Sequence, residues 1–305
     1  MWQRLWRDPP PSLACEFTAD AVCVARWTPG ATQPEQVVTR PLPAGVLKPS
    51  PFRENLADPR AVADAVASAL AEVTRGNRSR NRDFALLLPD LSARITVLKF
   101  EQLPAKPEEI LALLKHRMKK TVPFDVEDAA ISFEARDGEV MAAVAPRAVI
   151  RQYESLVEEL GYQPGFVTLS TLAGLGLVVP ETGPASGSML LRRSGGLMTI
   201  AMSGGGRLRV MRVSEEESAV SGGAPEGEEM FRDIYSSAVF YQDSYGGKVE
   251  RILEAGFPLQ AAALWERLES ELGVRPRPLV VPGSSGDQAR FLGIFGMLAE
   301  QARAS

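Results

Sequence analysis

Histidine is almost missing from this chain: His116 is the one imidazole among 305 residues, and it falls in a charged segment beside Lys115 and Arg117. A single imidazole excludes histidine-built zinc sites, and with no nucleophile motif near it a Ser-His-Asp or Cys-His mechanism has no base. Cysteine is nearly as scarce. Cys15 and Cys23 lie in one apparent hairpin, and two thiols in a chain of this length do not make a disulfide framework, so reduced, buried cysteines of a cytosolic protein are expected. No stretch approaches the roughly eighteen consecutive apolar residues of a membrane span, and the amino terminus lacks the order of a signal peptide. A strong charge of either sign is absent too: the net charge of −4 sets up no field that would gather nucleic acid. Nor does a Walker-type or GxGxxG fingerprint occur between a strand and a helix.

What is present is the composition of a soluble protein able to bury real cores, 45% hydrophobic and 24% charged, at a length that favours two domains. Trp2, Leu5 and Trp6 share a helical face with Arg4 and Arg7 nearby, and Pro9-Pro10-Pro11 stops them; so short a segment anchors weakly in lipid, and packing on its own domain is the expectation. Residues 13–27 alternate as a strand pair bending at Thr18-Ala19-Asp20, and a proline-rich loop is expected over 29–51. Asp58-Pro59 opens a helix whose Val62, Val66, Leu70 and Val73 form one stripe, closed by the basic run 75–80. Residues 84–88 are a continuous apolar run ending at Pro89-Asp90, the pattern of a strand covered on both faces.

Between residues 93 and 160 the pattern reads strand, helix, strand, strand, helix. Strand 95–100 is followed by a helical stripe of Ile110, Leu113, Leu114 and Met118, then a hairpin turning at Asp137-Gly138, then a helix marked by Val149, Tyr153, Leu156 and Leu160. Strand 166–169 follows, with Ser170 as a cap for the next helix. The Gly, Pro and Ser of residues 180–187 mark a domain boundary. Beyond it, strands 189–191, 197–202 and 208–213 are joined by glycine turns at Gly195-Gly196 and Gly204-Gly205-Gly206, which precede no helix and so read as hairpin turns in preference to phosphate loops. An acidic loop at 214–227, with Glu215-Glu216-Glu217 solvated, leads to a long helix, strand 249–253, helix 261–272, strand 279–281 and a last helix at 288–302. The second half thus repeats the first, and two α/β domains are expected: residues 1–182 with an inserted subdomain at 92–161, and residues 183–305.

The run from Leu103-Pro104 through the Glu108-Glu109 helix into Val122-Pro123-Phe124, the acidic turn 125–128 and the strand 131–133 resemble the type IV pilus assembly protein PilM family, actin-like proteins of the FtsA class. The segment 235–272 carries the resemblance on, with Ser237, Tyr241, Gly246-Gly247, Arg251-Ile252-Leu253 and Gly256 ahead of a helix ending at Gly273-Val274. The resemblance implies an actin-like ATPase fold of two ribonuclease-H-like α/β domains, a nucleotide in the cleft between them, and a groove beside the insert. That groove would take the cytosolic amino-terminal tail of a PilN-like inner-membrane protein, in a pilus or secretion machine with other assembly proteins. It also implies a peripheral place at the inner membrane through partners and leaves actin-like self-association open.

The residues depart from that family at the cleft. The first hairpin reads Glu16, Phe17, Thr18 and Asp20, with Cys23 at the family's lysine position, so the phosphate-facing glycine is replaced by a β-branched residue that obstructs a phosphate. The second hairpin carries Arg192 and Arg193 before Gly195; these cannot hold magnesium, although they suit an anion. The adenine-side glycine pair is reduced to Ala255-Gly256. A degenerate cleft follows, with weak binding of ATP and magnesium at most, no metal site and no catalytic residue; the alternative is an active actin-like ATPase or sugar-kinase-like enzyme with an atypical Mg-ATP site. For the partner, Arg117, Lys120, Val122, Pro123 and Phe124 are the candidates, with Lys115 and Lys119 nearby. The cations serve equally as helix-capping charge, and Phe124 equally as a plug holding the insert to its domain.

Overall fold

Leu13–Phe17 (β1), Ala21–Arg26 (β2) and Gln36–Pro41 (β3) form an antiparallel meander in a computed structural model that describes residues 11–76, 81–178, 186–216, 226–258, 261–284 and 290–304. The tryptophan segment at 2–6, the basic run from 77 to 80 and most of the expected boundary at 180–187 lie outside the described residues. β3 occupies what was expected to be loop. Its Val37, Val38 and Thr39 favour a strand, but the prolines on both sides hide so short an edge element.

Asp58 caps α1 (Pro59–Val73), its carboxylate accepting the Ala61 N–H at 3.0 Å, and Val62, Val66, Leu70 and Val73 are buried beneath it. β4 (Asp83–Leu88) then runs parallel to β1, and β8 (Gln163–Leu169) runs parallel to β4, giving the strand order β3-β2-β1-β4-β8. The second half repeats this order. β9 (Ser186–Ser194), β10 (Leu197–Gly204) and β11 (Arg207–Glu215) form a meander; after α5 (Glu226–Tyr245), β12 (Lys248–Ala255) pairs parallel with β9, and after α6 (Ala262–Leu272), β13 (Arg277–Pro278) pairs parallel with β12. The order is β11-β10-β9-β12-β13. The last strand therefore falls two residues before the expected 279–281, and the last helix, α7, spans Leu292–Ala304.

The insert has a sheet of its own, β5 (Arg94–Lys99), β7 (Glu139–Pro146) and β6 (Ala129–Arg136) in that order. α2 (Pro107–Met118) covers one face, where Ile110, Leu114 and Met118 meet Val140, Ala142 and Val144. Two helices pack away from the units their sequence order suggests. α3 (Arg147–Glu159), at the end of the inserted unit, lays Val149, Tyr153, Leu156 and Val157 into the core of the first half. α7, at the end of the second half, packs with α4 (Ser170–Gly174), Ala14 and Trp27, and the Trp27 indole donates to Gln301 Oε1 at 3.1 Å. This third core, shared by both halves, lies directly behind the cleft between them.

The insert also closes against the second half. Glu139 pairs with Arg207 and Arg209, Asp137 with Arg207, and Lys99 donates to the Ser244 carbonyl at 2.8 Å while lying 4.2 Å from the Tyr245 ring centre.

Candidate functional site: the interlobe cleft and the apolar groove

Strand alternation decides which side chains reach the cleft. On β1, Cys15 and Phe17 face the first core, so Ala14 and Glu16 face the shared one; on β9, Met189 and Leu191 face the core of the second half, and Leu190 and Arg192 point back at the first. Glu16 and Arg192 thus meet between the halves. A guanidinium buried to this depth requires carboxylate partners, and Arg192, 3% exposed, has two: Nη2 lies 2.7 Å from Glu16 Oε1 and Nη1 lies 3.3 Å from Asp90 Oδ2. Nη2 also donates to the Arg290 carbonyl at 3.1 Å.

Each carboxylate is held in turn. Glu16 accepts the Ser170 hydroxyl through one oxygen and the Ile294 N–H, in the first turn of α7, through the other at 3.1 Å. Asp90 accepts the Thr171 N–H at 2.8 Å, the Thr171 hydroxyl at 2.5 Å and the Thr199 hydroxyl at 2.7 Å. Burial raises the Glu16 carboxyl above its ordinary value, against the opposing pull of Arg192, Ser170 and the Ile294 amide. Ser170, expected to cap α4 at its own end, is instead the first helical residue, and its hydroxyl serves Glu16.

The two hairpin turns that would flank a phosphate touch each other. Gly195, at φ +59°, comes so close to the first turn that a side-chain carbon there would stand 2.7 Å from the Ala19 nitrogen and 3.1 Å from Thr18 Cβ. The Thr18 hydroxyl lies 2.7 Å from Asp20 Oδ1 and accepts the Ala21 N–H, and Arg290 donates to Asp20 Oδ2 at 2.5 Å. Partial burial works to raise the Asp20 carboxyl, but Thr18 and Arg290 together hold it below its usual range. Gly256, at φ +79°, backs directly onto the Arg193 carbonyl. Arg193 itself pairs with Glu216 at 2.5 Å, so Glu216 is tied down, whereas the acidic run was expected to be solvated.

A cavity of about 10 Å³ remains among Thr18, Asp90, Arg192, Ser194 and Thr199. That is room for about one water molecule, and the Arg192 guanidinium stands between the two carboxylates. Of the six cleft candidates, Glu16, Thr18, Asp20, Arg192 and Gly195 come together there, and Gly256 stands behind Arg193.

The larger opening lies elsewhere. A groove of about 400 Å³ runs between the insert sheet and the first half, walled by Met141, Ala143 and Ala145 of β7 and by β8 and α4, with Met297 and Glu300 of α7 at its side. Its lining is predominantly apolar. Both β6 and β8 are terminal strands of their sheets and both border it. None of Arg117, Lys120, Val122, Pro123 and Phe124 is among its lining residues: they lie at or beyond the end of α2, on the other face of the insert sheet. Val122 is buried in the insert core, Phe124 packs against that core, and Arg117 lies over the Phe100 ring at 5.9 Å.

Thr171 and Thr199 were not singled out from sequence, and Asp90 and Ser170 were read only as a strand end and a helix cap, not as cleft residues. A signal for Asp90 exists: it is an acid just past the carboxyl end of a buried parallel strand, where side chains of α/β sheets face ligands. The groove residues carry no such mark, being ordinary strand alternation.

Two lobes of equal strand order, an insert after the fourth strand and a cleft between the lobes define an actin-like ATPase fold. Among solved structures, the chain is similar to that of a PilM–PilN type IV pilus biogenesis complex, at 17% identity over 97% of this chain and 99% of that one, with a TM-score of 0.74. It is also similar to the cytoplasmic domain of EpsL, an inner-membrane component of the type II secretion system of Vibrio cholerae, at 12% identity over 96% and 94% of the two chains and a TM-score of 0.54. A Bacteroides thetaiotaomicron protein with the actin-like ATPase fold matches at 12% identity over 94% of each chain, with a TM-score of 0.55. No family model and no curated protein matches the chain.

Proposed function

We propose that this protein is a cytoplasmic scaffold of a type IV pilus or related secretion machine, which docks the cytosolic amino-terminal tail of a PilN-like inner-membrane protein and does not turn over ATP. The observation that carries this is the contrast between two openings among the described residues: a small cavity beside Arg192 and an apolar groove of about 400 Å³ between two edge strands. An extended segment fits such a groove, because edge strands offer main-chain hydrogen bonds while alternate side chains find apolar walls. The likeness to the PilM–PilN structure supports a PilN-like tail as that segment, and the likeness to the EpsL domain supports a secretion machine of the same kind. No helix among the described residues is long and apolar enough to cross a membrane, and on this reading the inner membrane is met through partners.

Titration with Mg·ATP tests the cleft. A ligand at about a hundred times its dissociation constant adds about 2.7 kcal/mol to stability; here the melting temperature is expected to stay unchanged and no phosphate to be released. Saturable binding with hydrolysis that Glu16→Ala abolishes would instead establish an atypical ATPase. Capture of a PilN-like tail tests the groove: Ala130→Asp or Ala143→Asp, both partly exposed in its wall, should weaken it at least about tenfold by placing a charge on apolar surface. Lys120→Glu and Phe124→Ala probe the α2 side. If capture responds to these two and ignores the groove changes, the tail docks at Val122-Pro123-Phe124 instead.

A further inference from the structure

We propose that Arg192 is a built-in ligand of the cleft: its guanidinium replaces the bound cation and phosphate of an actin-like ATPase, latches the two lobes shut, and through α4 and α7 fixes the walls of the apolar groove. The argument starts from what each group touches. Arg192 comes from the second half, Glu16 and Asp90 from the first, so every bond between them crosses the cleft. Thr199 of β10 adds a second crossing bond to Asp90.

The two carboxylates carry the latch onward. Glu16 holds the amino end of α7 through the Ile294 N–H and the start of α4 through Ser170, while Asp90 holds α4 through both the amide and the hydroxyl of Thr171. The same two short stretches then turn their next residues to the groove, Leu172 and Ala173 from α4 and Met297 and Glu300 from α7. Between latch and groove the helices touch backbone to backbone, with Gly296 against the Ala173 carbonyl and the Gly174 Cα. At that crossing the contact is backbone on backbone, so a change at the carboxylates is passed to the groove wall. A groove whose shape depends on an arginine in the same chain is always ready, where one set by a nucleotide would be conditional.

This extends the cleft assignment of the proposed function, and its test needs neither nucleotide nor partner, so the two can fail separately. Amide hydrogen exchange of the full chain is measured for the wild type, Arg192→Ala and Arg192→Lys. Removing one member of a buried charge cluster leaves the carboxylates uncompensated, so exchange in residues 166–176 and 292–302 should rise at least about a hundredfold in Arg192→Ala. The insert core around α2 and β7 should keep its protection. Millimolar methylguanidinium should restore the lost protection in Arg192→Ala and leave the wild type unchanged, and Arg192→Lys, which keeps the charge but lacks the fork, should fall between. Wild-type protection in Arg192→Ala, or a uniform loss that methylguanidinium does not reverse, overturns the proposal. If Arg192→Ala does not fold, Arg192→Lys decides: selective loss in the same two segments supports the latch, and unchanged or uniformly lost protection overturns it.

Discussion

At the scale of single residues, the cleft shows how one side chain changes what its neighbours mean. Beside Arg192, Glu16 becomes half of an ion pair and the anchor of a helix end. Its carboxyl is raised, chiefly by burial, so the folded protein holds this proton to higher pH than the unfolded chain does. The contribution of this group to stability is then full below the ordinary carboxyl value and is lost as pH rises through the raised one. Glu16→Gln removes that dependence, so denaturant unfolding across the acid range should find the variant gaining on the wild type as pH rises. A gap that moves the other way would mean that Arg192 outweighs burial. Glu16, Thr18, Asp20, Arg192 and Gly195 were grouped in the sequence through the family resemblance, which points to the ends of two hairpins. Asp90, Ser170, Thr171 and Thr199 were not, because three other elements deliver them to the same point.

At the scale of elements, periodicity located α1, α2, α3, the β1–β2 hairpin and the meander of the second half, but did not say what each helix would pack on. α3 shows an amphipathic stripe whichever side it covers, and its burial in the first half follows from Tyr153 meeting Phe17 at 5.1 Å and Asn55 within hydrogen-bond distance. The same burial pushes the Tyr153 hydroxyl up to about 12. α7 depends on the absence of side chains, because its Gly296 faces α4 where a Cβ would stand 2.6 Å from the Gly174 Cα. Gly296→Val should therefore force the two helices apart at a cost of about 1–3 kcal/mol or more. Denaturant titration should show that loss, and tail capture should fall with it. β3 went unseen because its flanking prolines resemble those of a loop, and pairing with β2 is what makes it a strand.

Across the described residues, two repeats of one topology are tied by the latch in the cleft, the shared core behind it, and, third, the salt bridges from insert to second half. The third tie centres on Glu139, which is largely buried between Arg207 and Arg209. Glu139→Ala leaves both guanidinium groups without that partner and should cost about 1–3 kcal/mol, with faster amide exchange in β5 and β11, the strands facing each other there. Unchanged exchange in those strands would show that the charges are incidental to docking.

The sequence by itself determined the doubled α/β plan and the strand, helix, strand, strand, helix order of the insert, since these are local patterns of periodicity and turn chemistry. Only the tertiary structure decided that Arg192 faces two carboxylates and not solvent, that α7 returns to the first half, and that the open surface is a groove on the far side of the insert sheet from Val122-Pro123-Phe124. The reason is distance along the chain: Glu16, Asp90 and Arg192 lie on separate strands and turns that only sheet order and interlobe packing bring within hydrogen-bond reach.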